Sequence, residues 1–154
     1  MPAVFREDPY PSYNFEILVT GISDDGASVK GSFCEVSGLE VEVPPIEYRT
    51  GADDKTMRKM QGLNKFSHIT LKRGIIGDLA FWNWIVSAMK GQVVRTEGSI
   101  LLLDENRQEV MRWNFKRGWP SKWTGPGLNA KNNEIAMETL EISHEGLDID
   151  GQAA

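Results

Sequence analysis

The stretch from Lys65 to Gly91, KFSHITLKRGIIGDLAFWNWIVSAMKG, constrains this chain most, because it runs from a strand pattern through a short turn into the one convincing helix. In Phe66 to Arg73 the apolar Phe66, Ile69 and Leu71 lie among polar Ser67, Thr70 and Lys72, and the β-branched and aromatic content favours a half-buried strand. Gly74 and Gly77 end it, and Asp78 supplies an N-cap. From there apolar residues recur at spacings of three and four, so the expected packing face is Leu79, Trp82, Ile85, Val86 and Met89, with Phe81 and Ala88 widening the stripe. Gly91 is placed as the C′ stop. Burying each large side chain of such a helix contributes roughly 1.5–3 kcal/mol. Only a sheet built from the flanks is large enough to receive it.

The flanks read as β. Asn14 to Thr20 alternates Phe15, Ile17 and Val19 with polar or outward residues, and Ser23-Asp24-Asp25-Gly26 closes it as a turn. Phe33 to Val36 is the next strand; Leu39, Val41 and Val43 then alternate with Glu40 and Glu42 until Pro44-Pro45, and Ile46 to Arg49 resumes the extended pattern. Ser99 to Leu103 and Glu109 to Lys116 flank residues 104–108 as a hairpin, with Met111, Trp113 and Phe115 on one face. Trp119-Pro120 and Thr124 to Gly127 predict an irregular crossing. In Ile135 to His144 the apolar parity slips between Met137 and Leu140, which predicts a final strand with a bulge near Glu138 and Thr139, a helix being the alternative.

Thr50 to Gly62 is the exception. It is polar and charged, with Met57 and Met60 as its large apolar content, and predicts a long surface loop. Residues 1–13 read as an extended arm and 148–154 as a frayed tail. Together these signals predict a single domain over 1–154, mainly β: a small barrel or sandwich of about seven strands with one packed helix.

Composition narrows the function classes. Apolar content of 40% and five Trp specify a folded core, while a net charge of −5 argues against general nucleic-acid affinity. The opening MPAVFREDPYPSY lacks the basic and apolar regions of a signal peptide, and no apolar run approaches the roughly 18 residues of a membrane span. The expectation is an unexported chain by the general secretory route, with no stable membrane binding. Cys34, the single cysteine, is read as a small buried hydrophobe. His68 and His144 stand in strand patterns without a second His or Cys at ligand spacing, so neither metal nor cofactor is expected. Asp148-Ile149-Asp150-Gly151 echoes a calcium loop but lacks the later glutamate. Periodicity puts Trp82 and Trp113 in the core and leaves Trp84, Trp119 and Trp123 as candidates for exposure. No nucleophile, base and orienter come together, and no enzyme is expected.

Three runs in one order carry a resemblance: FCEVSGLEVEVPPIEYRTG (33 to 51), KMQGLNKFSHITLKRGI (59 to 75) and WNFKRGWPSKWTGPGLNAKNNEIAMETLEISHEGL (113 to 147). Across nearly the whole chain the sequence resembles the tail tube proteins of contractile phages and of phage-derived contractile injection systems. The resemblance implies a small β-barrel with a helix, related in fold to the haemolysin-coregulated proteins of type VI secretion, in hexameric rings stacked into a hollow inner tube. It implies sheath subunits, baseplate and tube-terminating proteins as partners, and cargo effectors or DNA passing transiently through the lumen. Assembly is expected in the producing bacterial cytoplasm, into a virion or injection particle.

On this resemblance, residues 50–62 reach between subunits, and Arg49, Asp53, Asp54, Lys55, Arg58 and Lys59 contribute to stacking. Glu40, Glu42 and Glu141, on the unburied strand parity, are the candidate lumen-facing set and imply a channel whose negative potential repels nucleic acid or acidic cargo. The N-terminal arm leaves open a tube-initiator or adaptor ring at the baseplate. A discrete effector-carrying hexamer of the type VI kind is the other alternative.

Overall fold

The computed structural model describes residues 7–19, 33–49, 51, 56–75, 79–92, 94–131 and 133–149. In chain order the elements are β1 (Phe15–Val19), β2 (Phe33–Ser37), β3 (Val41–Glu42), β4 (Pro45–Tyr48), β5 (Arg58–Gln61), β6 (Lys65–Phe66), β7 (Ile69–Gly74), α1 (Ala80–Met89), β8 (Thr96–Leu103), β9 (Glu109–Thr124), β10 (Met137–Ser143) and β11 (Gly146–Ile149).

The long strand β9 organises the sheet. Its first part pairs antiparallel with β8 and, over Trp113 to Lys116, with β11; its last part, from Trp119, pairs with β10. The full path is β1-β8-β9-β10-β7-β2, with β11 added to β9, which makes seven strands. Its ends, β1 and β2, are not paired with each other among the described residues, so the sheet is open and not a closed barrel.

The expected irregular crossing at Trp119-Pro120 is instead continuous strand. Arg117 takes a positive φ of 51° where β9 carries an extra residue against β8, between Gly98↔Phe115 and Thr96↔Gly118. Such a bulge bends and twists a strand, and here it marks the hand-over from one half-sheet to the other. Pro120 sits at a second irregularity, where Glu141 faces Lys122 but Ile142 faces Pro120, and Ser121 is the extra residue. A proline with no N–H to give the ladder is tolerated at such a place.

That second bulge also corrects the expected slip at Glu138 and Thr139. Strand β10 keeps a regular alternation, burying Glu138, Leu140 and Ile142. The apparent slip arose because the inward position 138 holds a charge, while Ile135 is 81% exposed. The tail is corrected too: Leu147 and Asp148 are buried in β11, and residues 150–154 lie outside the described part.

Inward side chains of both half-sheets, Ile17, Val19, Ile69, Leu71, Ile100, Phe115, Leu140, Ile142 and Leu147, meet Ala80, Phe81 and Trp84 of α1 in one core. The helix face therefore differs from the one the spacing predicts. Leu79, Trp82 and Met89 are exposed, Ile85 and Val86 are half-buried, and Ala80, Phe81 and Trp84 are buried. The helix is apolar nearly all round, so period alone does not select a face; the receiving sheet does. Trp84, expected as a candidate for exposure, is buried with its Nε1 donating to the Val94 carbonyl at 3.2 Å. At the C-terminus Gly91 has φ +73°, its N–H donating to Ala88 and that of Gln92 to Ser87, a Schellman stop as expected. At the N-terminus the helix begins after Leu79 with no side-chain cap, and Asp78 lies outside the described residues.

Candidate functional site

Two surfaces stand out because the sequence makes them extended but leaves them uncovered. The first is an arm. Within 50–62, where a loop was expected, β5 forms and pairs with β4 through Pro45↔Gln61, Ile46↔Met60, Glu47↔Lys59 and Tyr48↔Arg58. All eight strand residues are exposed. The sequence signal was Ile46-Glu47-Tyr48 facing Arg58-Lys59-Met60, apolar with apolar and acid with base, a pattern visible only once the two runs are paired. At its root Val41↔Phe66 and Glu42↔Lys65 pair β3 with β6, and the Gly62 N–H donates to the Pro44 carbonyl at 2.8 Å. Ile46 and Met60 are 54% and 56% exposed, and Val41, Val43, Met57 and Leu63 are exposed as well. Of the expected stacking residues, Arg49, Arg58 and Lys59 are exposed along this arm, whereas Asp53, Asp54 and Lys55 lie outside the described residues.

The second surface is the half-sheet β2-β7-β10 with Trp119 to Thr124 of β9. One side faces the core and α1: Phe33 packs on Phe81 at 5.8 Å between ring centroids, and Trp82 on Trp123 at 5.0 Å. The other side carries Glu35, Ser37, Thr70, Lys72, Trp119, Lys122, Thr124, Met137, Thr139, Glu141 and Ser143, with no element over it among the described residues. The structure does not bring the three lumen candidates together. Glu141 is on this bare face, but Glu40 and Glu42 belong to the exposed run into β3, where Glu40 accepts a hydrogen bond from Ser67 and Glu42 stands opposite Lys65.

Beneath the bare face lies an ion pair that sequence reading missed. Arg73 bonds Glu138 inside the core, and Trp123 Nε1 donates to the second Glu138 oxygen at 3.2 Å. The signal was present in Ile69-Leu71-Arg73 and Glu138-Leu140-Ile142, where the inward period runs straight through a charged residue. A charge reads as outward until its partner is known.

Cys34, expected buried, is exposed, and it lines an open cleft of about 360 Å³ between β1 and β2 with Phe15, Val36, Leu39 and Trp113. His144 lies between Phe66 and Phe115, and burial holds its pKa below the ordinary imidazole value against carbonyls that favour its charged form. Among the described residues no group of three or more His, Cys, Asp and Glu is placed to hold a metal, and no helix is long and apolar enough to cross a membrane. The arrangement among the described residues is one of sheet edges, bare faces and an apolar arm, surfaces suited to association.

Comparison with known proteins agrees. The T4-like virus tail tube protein gp19 family model matches residues 11–148. A chain of the extracellular contractile injection system PVC sheath-tube complex, in its extended state, is 31% identical with TM-score 0.79, over 96% of this chain and 94% of that one. A chain of the PVC sheath/tube terminator structure is 29% identical with TM-score 0.81, over 94% and 99%. Hcp1 from Flavobacterium johnsoniae, at 14% identity and TM-score 0.59 over 91% and 97%, shares the fold. No curated protein sequence matches the chain. With the family model covering all but the two ends, the chain belongs to the T4-like virus tail tube protein gp19 family.

Proposed function

We propose that this chain is the non-catalytic structural subunit of the inner tube of a contractile tail or contractile injection system, closing into rings that stack around a hollow lumen. The observation that carries this reading is the family match over 11–148. The fold supplies physical reasons. The bare half-sheet has two edges without partners among the described residues, the outer side of β2 and the far side of β9 beyond Trp119. Unpaired edges are a liability unless a neighbour covers them, and pairing in a closed ring removes them.

In such a ring the helix and the second half-sheet occupy one side of the wall. The bulkier side takes the larger circumference, so the bare face lines the hole. The exposed arm β4–β5 then reaches to the neighbouring subunit or ring, with Arg49, Arg58 and Lys59 beside its apolar face. Sheath, baseplate and tube-terminating proteins are the partners of the finished tube, and cargo passes transiently through its lumen. Particles would assemble in the producing cell.

Negative-stain electron microscopy of the purified chain at high concentration tests this. Rings of uniform diameter or hollow rods are expected. A chain that remains monomeric, and is also absent from sheathed particles isolated from the producing cell, would overturn the reading.

A further inference from the structure

The bare face of the half-sheet carries four charged residues among those described, and each stands against its opposite. Lys72 Nζ lies 3.5 Å from a Glu35 carboxylate oxygen across β7 and β2. Lys122 faces Glu141 in register across β9 and β10, within the distance at which cross-strand side chains interact. The other outward positions are the hydroxyls Ser37, Thr70, Thr124, Thr139 and Ser143, with Met137 at one end of β10 and a single aromatic, Trp119, opposite Ser143 at the other. The face therefore sums to zero while the chain as a whole carries −5. Opposite charges a few ångströms apart in water present a field that fades within about their own separation, well inside the roughly 8–10 Å over which salt screens a single charge. The face also lacks the basic groove with stacked aromatics that holds single-stranded nucleic acid.

We propose that this face is a charge-cancelled, low-adhesion wall that lets polypeptide cargo of either net charge pass without being held, in place of a negative channel that repels acidic cargo. The proposal rests on the tube reading above. Of the three glutamates expected in the lumen only Glu141 is on this face, and Lys122 offsets it. Ordinary cross-strand stabilisation also favours such pairs, so the discriminating readout is adhesion and not stability.

The experiment compares tubes of the unaltered chain with Lys72→Glu/Lys122→Glu and Glu35→Lys/Glu141→Lys tubes, each reversal changing the face by two charges. Fluorescent octa-arginine and a fluorescent single-stranded oligonucleotide are the probes. Retention of the peptide should rise about 10-fold in the first variant and that of the oligonucleotide about 10-fold in the second, both gains vanishing by about 0.5 M salt. Unaltered tubes that already retain one probe as strongly as the matching variant, or variants that gain nothing, would overturn the proposal. Where a double reversal blocks assembly, Lys122→Glu and Glu141→Lys singly should give the same order.

A Thr139→Cys probe in a Cys34→Ser background separates the two levels. In intact tubes a small maleimide should react and a bulky polymer-linked maleimide should not. Equal reaction with both would overturn the inward orientation itself. Protection without any gain in retention would overturn the charge-cancelled wall alone. Absence of rings and tubes under all conditions, together with absence of the chain from sheathed particles of the producing cell, overturns the tube reading and this inference with it.

Discussion

Arg73 and Glu138 stand directly opposite one another on β7 and β10 and form an ion pair within the core, their side chains 1% and 9% exposed. The Arg73 guanidinium lies 4.1 Å from the centre of the Phe81 ring, so the pair joins the half-sheet to α1, and Trp123 adds a hydrogen bond from β9. A one-residue slip of either strand would turn that strand's charge outward and its hydroxyls inward and so part the two residues, which ties the pair to the register. Removing one partner strands a buried charge. Arg73→Met or Glu138→Leu should each cost roughly 3–5 kcal/mol in denaturant unfolding, and the double variant should recover most of that loss. Simple additivity of the two losses would show that the residues do not act as a pair.

Phe115 is clamped between two glycines. A Cβ at Gly98 would lie 2.4 Å from its ring, and one at Gly118 would lie 2.5 Å from it, while the ring itself is buried. Gly98→Ala and Gly118→Ala should each destabilise the subunit by about 1–3 kcal/mol through overpacking, read as a lower melting temperature. Phe115→Leu in the Gly118→Ala background should return part of the loss. An unchanged melting temperature in both single variants would mean that the ring moves freely aside.

The mainly β class with one helix was legible because period-two runs and the Gly91 stop are local signals. Other features were not local. Face selection in α1 depends on which side the sheet receives, and an apolar helix offers several; the stripe through Leu79 and Trp82 was one position from the buried Ala80, Phe81 and Trp84. Strand β5 was hidden because Arg58-Lys59-Met60-Gln61 has the composition of a loop and becomes a strand only against β4. The Arg73–Glu138 pair joins positions 65 residues apart, and neither half alone announces burial. The bare wall needed the same long-range pairing, since Glu141 looks like a lone negative charge until Lys122 is set opposite it.

Both ring nitrogens of His144 face carbonyl oxygens at 3.0 Å, Nδ1 that of Gly146 and Nε2 that of Ser67. A neutral ring donates from only one of them. Burial between Phe66 and Phe115 nevertheless outweighs this and keeps the folded-state pKa below 6.5, with His68 adding a like charge nearby. The unfolded chain then binds the proton more readily than the folded one. The stability contributed by neutral His144 is present above about pH 6.5 and is lost as the pH falls from there through the depressed folded value. Unfolding free energy should fall between pH 7.5 and 5.5, and His144→Gln should flatten that slope while His68→Gln leaves most of it. Glu145 nearby is held in ion pairs by Arg95 and Arg117. A rise in stability on acidification would mean that the second carbonyl bond outweighs burial.

Ile46 faces Met60 on an arm whose strands pair chiefly with each other, and a lone two-stranded hairpin is marginal in water. Both residues are more than half exposed in the single chain, so polar replacements remove nothing from its core. Ile46→Asp/Met60→Asp should therefore change subunit stability by no more than about 0.5 kcal/mol. If the arm's apolar face seats on another copy, losing two anchors at roughly 1.5 kcal/mol each should raise the concentration needed for tube growth about 100-fold. Sedimentation of tubes against protein concentration, with thermal melts in parallel, reads both quantities. Exchanging Glu47 and Lys59 as Glu47→Lys/Lys59→Glu keeps their cross-strand pairing and alters only what a partner meets. Growth that survives this exchange but fails with the aspartates assigns stacking to apolar contact. Growth lost with the exchange alone assigns it to the charges expected from the sequence, and growth unaffected by both places the arm outside the stacking interface.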